Sequence, residues 1–231
     1  MGIRKEVGSA HPTEERSAAE VRSAQWTPRK AKPGTNVIRH IHDNEGPTTK
    51  RWTREEYDRL VDLGMFSNER VELLAGEIVE MTPQRGEHSM AIGLVERALR
   101  AAWGDAYWIR MQMPLALGKS SEPEPDVAIV AGSPRDYRDH PSSAASVVEV
   151  SDTTLAYDSA RKASLYASAG IREYWIVDLA VGELVVHRNP VADPGAEFGG
   201  RYADLRRLGP EDTIAPLGCP GARISVKDLL P

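Results

Sequence analysis

The sequence predicts an α/β or α+β domain on a mixed central sheet flanked by helices. Three observations predict it. Segments with helical and strand-like apolar spacing succeed one another in the order helix, hairpin, helix, strands, helix, strands. The strand segments are short apolar runs bounded by Gly, Pro, Asp and Ser. Ser146 to Asp178 reads as strand, helix, strand, which is the spacing of a βα unit.

Each element has a local reason. Thr53 with Glu56 three residues on forms a capping box, and Tyr57, Leu60 and Val61 follow at helical spacing until Gly64. Val71 to Met81 reads as two short strands turning at Ala75-Gly76. Glu87 to Trp103 reads as a helix with Ile92, Val95, Leu99 and Ala102 on one face and Gly104 at its end. Strands are expected over Tyr107–Leu117, Asp126–Val130 and Ser146–Val150, with Ser133–Ser143 as a polar loop. Asp158 to Ala169 reads as a helix capped by Asp158 and stopped by Gly170. Glu173–Asp178, Glu183–Arg188 and Arg201–Leu208 read as strands, and no internal repeat is visible.

The 231 residues allow one domain with an extension, and the 41% hydrophobic content is enough for a sizeable core. Residues 1–51 hold ten Lys/Arg and six Asp/Glu, so they carry +4; with −5 for the whole, the remaining 180 residues carry −9. Residues 1–51 are therefore expected to form a flexible, basic extension, with a short helix around Glu14–Arg22, and 52–231 the domain. The extension is either a basic arm for nucleic acid, a solvated leader or the product of a mis-called start codon. A net charge of −5 argues against a histone-like or ribosomal protein, but not against an enzyme that needs only a local basic path. Cys219 is the one cysteine, which excludes an internal disulfide framework and a multi-cysteine zinc site. No apolar run approaches the roughly 18 residues of a membrane span, and the basic N-terminus lacks a signal-peptide apolar core. A cytoplasmic location is expected.

The residues with chemical potential are acidic. Pro125 places Asp126 at a strand margin. Glu149 interrupts an apolar run, and strand alternation sets it on the face opposite Val148 and Val150. A carboxylate in a buried strand is costly unless it is paired or binds a metal. Two carboxylates on neighbouring strands suit a hard cation, magnesium or manganese. Asp158, Lys162 and Tyr166 are spaced by four, so they share one helix face; Lys162 either reaches back to Glu149 or pairs with Asp158 at the surface. His88, at a helix start, either contacts a phosphate or helps position Glu72, or makes only a local hydrogen bond. Gln112 either binds a metal-bound water or satisfies backbone groups. Tyr166 reads as packing, with a secondary place in the site as the alternative. Tyr174 and Trp175 read as sheet core or a dimer surface. His40 and His42 are a possible metal pair in the extension.

Several stretches together resemble the Uma2 family, a branch of the restriction-endonuclease-like PD-(D/E)XK nucleases. They are Ser121-Glu-Pro-Glu-Pro-Asp-Val-Ala-Ile-Val, Val147-Val-Glu-Val-Ser-Asp-Thr-Thr-Leu-Ala-Tyr-Asp, and Lys162-Ala-Ser-Leu-Tyr-Ala-Ser-Ala-Gly-Ile-Arg-Glu-Tyr-Trp-Ile-Val-Asp. Val71-Glu-Leu-Leu-Ala-Gly-Glu-Ile and the segment from Met81-Thr-Pro to His88 also fit, so the resemblance covers about residues 52–220. It implies a restriction-endonuclease-like core with a metal-dependent phosphodiesterase site. It matches Asp126 to the Pro-Asp signature, Glu149 to the first acidic residue of the (D/E)XK element, and Glu72 to the N-terminal glutamate that completes such sites. Position 151 is Ser where that element has lysine, and Lys162 on the next helix takes the lysine's place. Ala75 departs from the Asp usual in its turn.

The expected activity is magnesium-dependent hydrolysis of DNA phosphodiesters, with Asp126 and Glu149 on the metal, Glu72 as a further ligand and Lys162 orienting water. A homodimer is expected because cutting both strands of a duplex takes two one-site subunits. The alternatives are a non-catalytic nucleic-acid- or protein-binding domain on the same fold, and a hydrolase of other phosphoesters. A nuclease is expected to show a basic rim, for which Arg85, Arg110, Lys119, Arg135, Arg138 and Arg161 are the candidates.

Overall fold

Strands that are apolar on both faces must be covered on both, and that requirement organises the domain. The structure, a computed structural model, describes residues 47–231. The expected extension, its short helix and the His40–His42 pair therefore lie outside the described residues, apart from 47–51.

Six strands form one mixed sheet in the order β3-β4-β5-β6-β7-β8: β3 Tyr107–Met111, β4 Val127–Ala131, β5 Ser146–Ser151, β6 Glu173–Asp178, β7 Glu183–Ala192 and β8 Gly200–Leu208. β5 and β6 are parallel, and every other neighbouring pair is antiparallel. On one face lies α2, Gly86–Trp103, whose Ala91, Ile92, Val95, Leu99 and Trp103 pack on Val127, Ile129, Val148, Val150, Trp175 and Val177. The alternate residues Ala128, Val130, Val147, Tyr174 and Ile176 face the other way. They are covered by α3, residues 155–168, which connects β5 to β6 and contributes Ala163, Tyr166 and Ala167. Tyr174 and Trp175 are both fully buried, so they are sheet core.

α1, Arg54–Asp62, has the capping box read from the sequence: Thr53 accepts from the Glu56 amide and the Glu56 side chain accepts from Thr53 N–H. Tyr57 packs on Val71 and Leu73 of the hairpin β1 (Val71–Leu74) and β2 (Glu77–Glu80), whereas Val61 is exposed. The hairpin turns at Ala75 (φ 48°) and Gly76 (φ 84°). Lys50 and Arg51 already pair with Glu56 and Glu77, so the contacts of the domain begin just ahead of Trp52.

Two expectations from the sequence are corrected by the structure. The strand from Tyr107 stops at Met111, because Gln112 adopts a left-handed backbone (φ 51°) that breaks the ladder. Asp158 does not cap a helix. α3 starts earlier and is helical without a break: α over Leu155–Tyr157, π over Asp158–Lys162, α over Ala163–Ser168. After β8, β9 (Thr213–Ile214), β10 (Ile224–Ser225) and a 3-10 turn (Val226–Leu229) bring Ile214, Ile224, Val226 and Leu229 into the same core cluster as α2.

Candidate metal centre

Asp126 and Glu149 meet because of strand register. Val127 stands opposite Val148, so Asp126, one residue earlier, falls beside Glu149, one residue later. Both project from the α3 side of the sheet. They are locked to each other's backbone: Asp126 N–H donates to Glu149 Oε2 at 3.2 Å, and Val150 N–H donates to Asp126 Oδ2 at 2.8 Å. The alternation read from the sequence is thus correct, and the register that brings the two carboxylates together is supplied by the fold.

Lys162 ends the π turn and points inward. Its Nζ lies 3.0 Å from Glu149 Oε1 and 3.5 Å from Glu72 Oε1. Tyr166 Oη donates to the same Glu149 oxygen at 2.7 Å. A π turn adds a residue to one helical turn and is found most often at functional sites. Here it accompanies the burial of Asp158 and Lys162 together. Lys162 is therefore not a surface lysine paired with Asp158. Glu72 comes from β1 and is held by Glu124 N–H, which donates to Oε2 at 3.1 Å. His88 does not position Glu72: its Nε2 lies 3.2 Å from Asp126 Oδ1, and Gln112 Nε2 approaches the same oxygen at 3.4 Å. Tyr166 packs in the core and also reaches the site.

Charge is unbalanced. Glu72, Asp126, Glu149 and Asp158 are buried around a single buried ammonium, Lys162. Burial pushes the Glu149 carboxyl up to about 8; Lys162 opposes this, and the charges of Asp126, Asp158 and Glu72 add to it. For Asp126, burial also acts upward, but the contacts with His88, the Val150 amide and Lys162 outweigh it and hold that carboxyl below the usual range. Burial raises Asp158 despite Lys162 and the Thr154 hydroxyl, which donates to Oδ2 at 2.7 Å. Burial works against the Lys162 charge, but Glu149, Glu72 and Asp158 together hold it firmly protonated.

These groups line an open cavity of about 620 Å³, to which Met81–Arg85 and Asp152–Thr154 also contribute. Among the described residues, no three His, Cys, Asp or Glu side chains converge as a closed metal site would require. Two hard oxygen ligands with surplus negative charge and open space do fit a magnesium-like ion, which keeps most of its waters. Among the described residues the expected basic rim is not formed. Arg110 is buried, donating to Pro114 C=O at 2.9 Å over the Trp108 ring, and Arg161 pairs with Glu77 and Glu197. Of the six candidates only Arg85 lines the cavity, and it lies 3.5 Å from Asp152. Glu80, Glu124 and Asp152 make the remaining rim acidic.

A mixed six-stranded sheet between helices is the architecture of a restriction-endonuclease-like core. The chain belongs to the Uma2 family, described as "Putative restriction endonuclease", whose model matches residues 54–227. The fold is similar to the crystal structure of "a putative nuclease belonging to DUF820" from Anabaena variabilis ATCC 29413, with a TM-score of 0.56 at 16% identity, covering 77% of this chain and 97% of that one. No curated protein matches the sequence. Among the described residues no helix is long and apolar enough to cross a membrane.

Proposed function

We propose that this chain is a divalent-metal-dependent nuclease that hydrolyses DNA phosphodiester bonds, acting in the cytoplasm as a homodimer. The observation that supports it most is that Glu149, tied to Asp126 through the Asp126 amide, and Glu72 both pair with the buried Lys162 beside an open cavity. Asp126 and Glu149 would hold magnesium, or manganese in its place, with Glu72 as a further or water-mediated ligand. Such an ion, when bound, lowers the pKa of water and offsets charge on the phosphate.

The chain's own groups supply the rest. Lys162, kept protonated, donates to the attacking water and orients it toward phosphorus. His88 and Gln112 fix one oxygen of Asp126, and the Val150 amide fixes the other. Tyr166 and the Asp126 amide hold Glu149 in the same way. Strand-fixed carboxylates need little reorganisation on binding, which is the main protein contribution to catalysis of this kind. The test is cleavage of a plasmid and of a single-stranded oligonucleotide with magnesium by wild type, Asp126→Asn and Lys162→Ala. Cleavage by wild type and its loss in both variants is expected.

A second reading, a non-catalytic nucleic-acid- or protein-binding domain, is favoured by the acidic rim, which opposes docking of a rigid duplex. Wild type that binds DNA or a protein partner but cleaves neither substrate would select it.

A further inference from the structure

β8 is an edge of the central sheet, and most of that edge is bare. The strand is nine residues long, Gly200–Leu208, and pairs with β7 on one side. Among the described residues it makes no backbone hydrogen bond beyond that ladder. Its start is covered: Gly200 lies against the backbone of Ala167 and Ser168 at the end of α3, with no room for a side chain. From Ala203 to Arg207 every residue is exposed, and Leu205 in the middle is 56% exposed. A free edge of this length is a template for another strand, and proteins commonly blunt such edges with charge. Arg201, Arg206 and Arg207 discourage pairing with an arbitrary strand, but Asp204 breaks the run of one sign. Directly opposed residues of an antiparallel pair share a face and lie about 5 Å apart, so opposite charges there attract and like charges repel. When β8 pairs antiparallel with β8 of a second copy about Leu205, Asp204 of each stands opposite Arg206 of the other, and Leu205 meets its own counterpart. Registers centred on Asp204 or on Arg206 instead set two carboxylates or two guanidiniums face to face. Asp204 accepts from the Asn189 amide through Oδ2, which leaves Oδ1 for an arginine. Arg207 lies 3.4 Å from Glu183, whereas Arg206 has no carboxylate partner among the described residues.

We propose that the β8 edge is the surface that binds a second copy of this chain, the two strands pairing antiparallel about Leu205 with reciprocal Asp204–Arg206 contacts. This rests on the homodimer reading above and gives it a surface and a register. The two-fold axis then stands perpendicular to the sheet, joins two six-stranded sheets into one, and sets both Asp126–Glu149 pairs on the same face of it.

The test is sedimentation of the full chain over a range of protein concentrations, with circular dichroism to check that each variant folds. Wild type is expected to dimerise. Asp204→Arg and Arg206→Asp each set like charges opposite one another twice across the two-fold axis, and each should weaken self-association about tenfold or more. Mixed in equal amounts, the two variants should form a heterodimer of near wild-type affinity, because the arginines of one copy then face the carboxylates of the other. A merely structural role for either side chain would not be repaired by mixing. Leu205→Lys sets two ammonium groups opposite each other at the axis and should also weaken the dimer, while leaving Asp204 and its Asn189 contact in place. A wild type that stays monomeric overturns the proposal. So does a dimer that persists unchanged in all three variants, since it uses another surface, and so does the failure of the two folded charge variants to pair on mixing. No metal or DNA enters the measurement, so its failure leaves the nuclease reading to the cleavage test above.

Discussion

Glu149 sets the chemistry of the site through what it costs the metal-free protein. Its carboxyl is pushed up to about 8 in the fold, while an unfolded glutamate titrates near 4.3. Between those values the native state binds the extra proton, so this group makes the protein less stable as pH rises through the window. Glu149→Gln is therefore expected to be more stable than wild type at pH 8 in the presence of EDTA, by roughly 1–3 kcal/mol. The gap should close toward pH 5, and melting curves at the two pH values check it. Lys162→Ala has the opposite expectation. It leaves four buried carboxyl groups without their ammonium, and losing one partner of a buried pair costs about 3–5 kcal/mol. Its melting temperature should fall at neutral pH and recover in part as the carboxyls are protonated below pH 5.

The β1–β2 hairpin carries Glu72 into the site, and its turn is not built from the best residues. Ala75 and Gly76 both have positive φ, the two-residue turn that favours Asn-Gly. Alanine in the left-handed region costs roughly 1–2 kcal/mol. Ala75→Asn is expected to raise the melting temperature by a few degrees, about 1 kcal/mol, without changing metal affinity; thermal denaturation and magnesium titration check both halves. The elements that sequence shows well are those with a local cause, such as the Thr53–Glu56 box and the alternation that sends Glu149 away from α2. The π turn has no such cause. The spacing of Asp158, Lys162 and Tyr166 fits an ordinary helix equally well, and the extra residue per turn answers to contacts with Glu149 and Tyr174 on other elements. Likewise His88 is visible in the sequence as a polar residue at a helix start, and Gln112 as one within the strand expected over Tyr107–Leu117. Their common target, Asp126 Oδ1, depends on how α2 and β3 lie on the sheet. The basic rim failed for a related reason: arginines such as Arg110 and Arg161 are used for packing and pairing that one-dimensional spacing does not show.

Across the described domain the sheet is a slab between two apolar layers, and a titrating group is buried inside it. His187 on β7 is buried between Tyr174 and Tyr202, with ring centroids at 5.4 and 5.6 Å, and its Nε2 has no partner among the described residues. Burial, and then the charge of Arg207, lower it to about 4 from the 6.5 of an exposed histidine. The native state binds fewer protons than the unfolded state in that window. Stability from this group is present above pH 6.5 and is lost as pH falls toward 4, in total roughly 3 kcal/mol. His187→Phe should therefore gain on wild type by about that amount between pH 7.5 and pH 4.5, measured by urea denaturation at both. The slab also explains why the carboxylates hold their geometry, since β4 and β5 are central strands fixed on both faces and along both edges.

Calorimetric titration of magnesium at pH 8 into wild type, Asp126→Ala and Glu149→Ala, with circular dichroism as the check on folding, decides whether the acidic pair holds a metal. Saturable binding to wild type, with proton release, is expected, and its loss in both variants while they remain folded. No saturable binding to wild type, even with a DNA duplex present, would contradict it and leave the acidic pair as part of a binding domain.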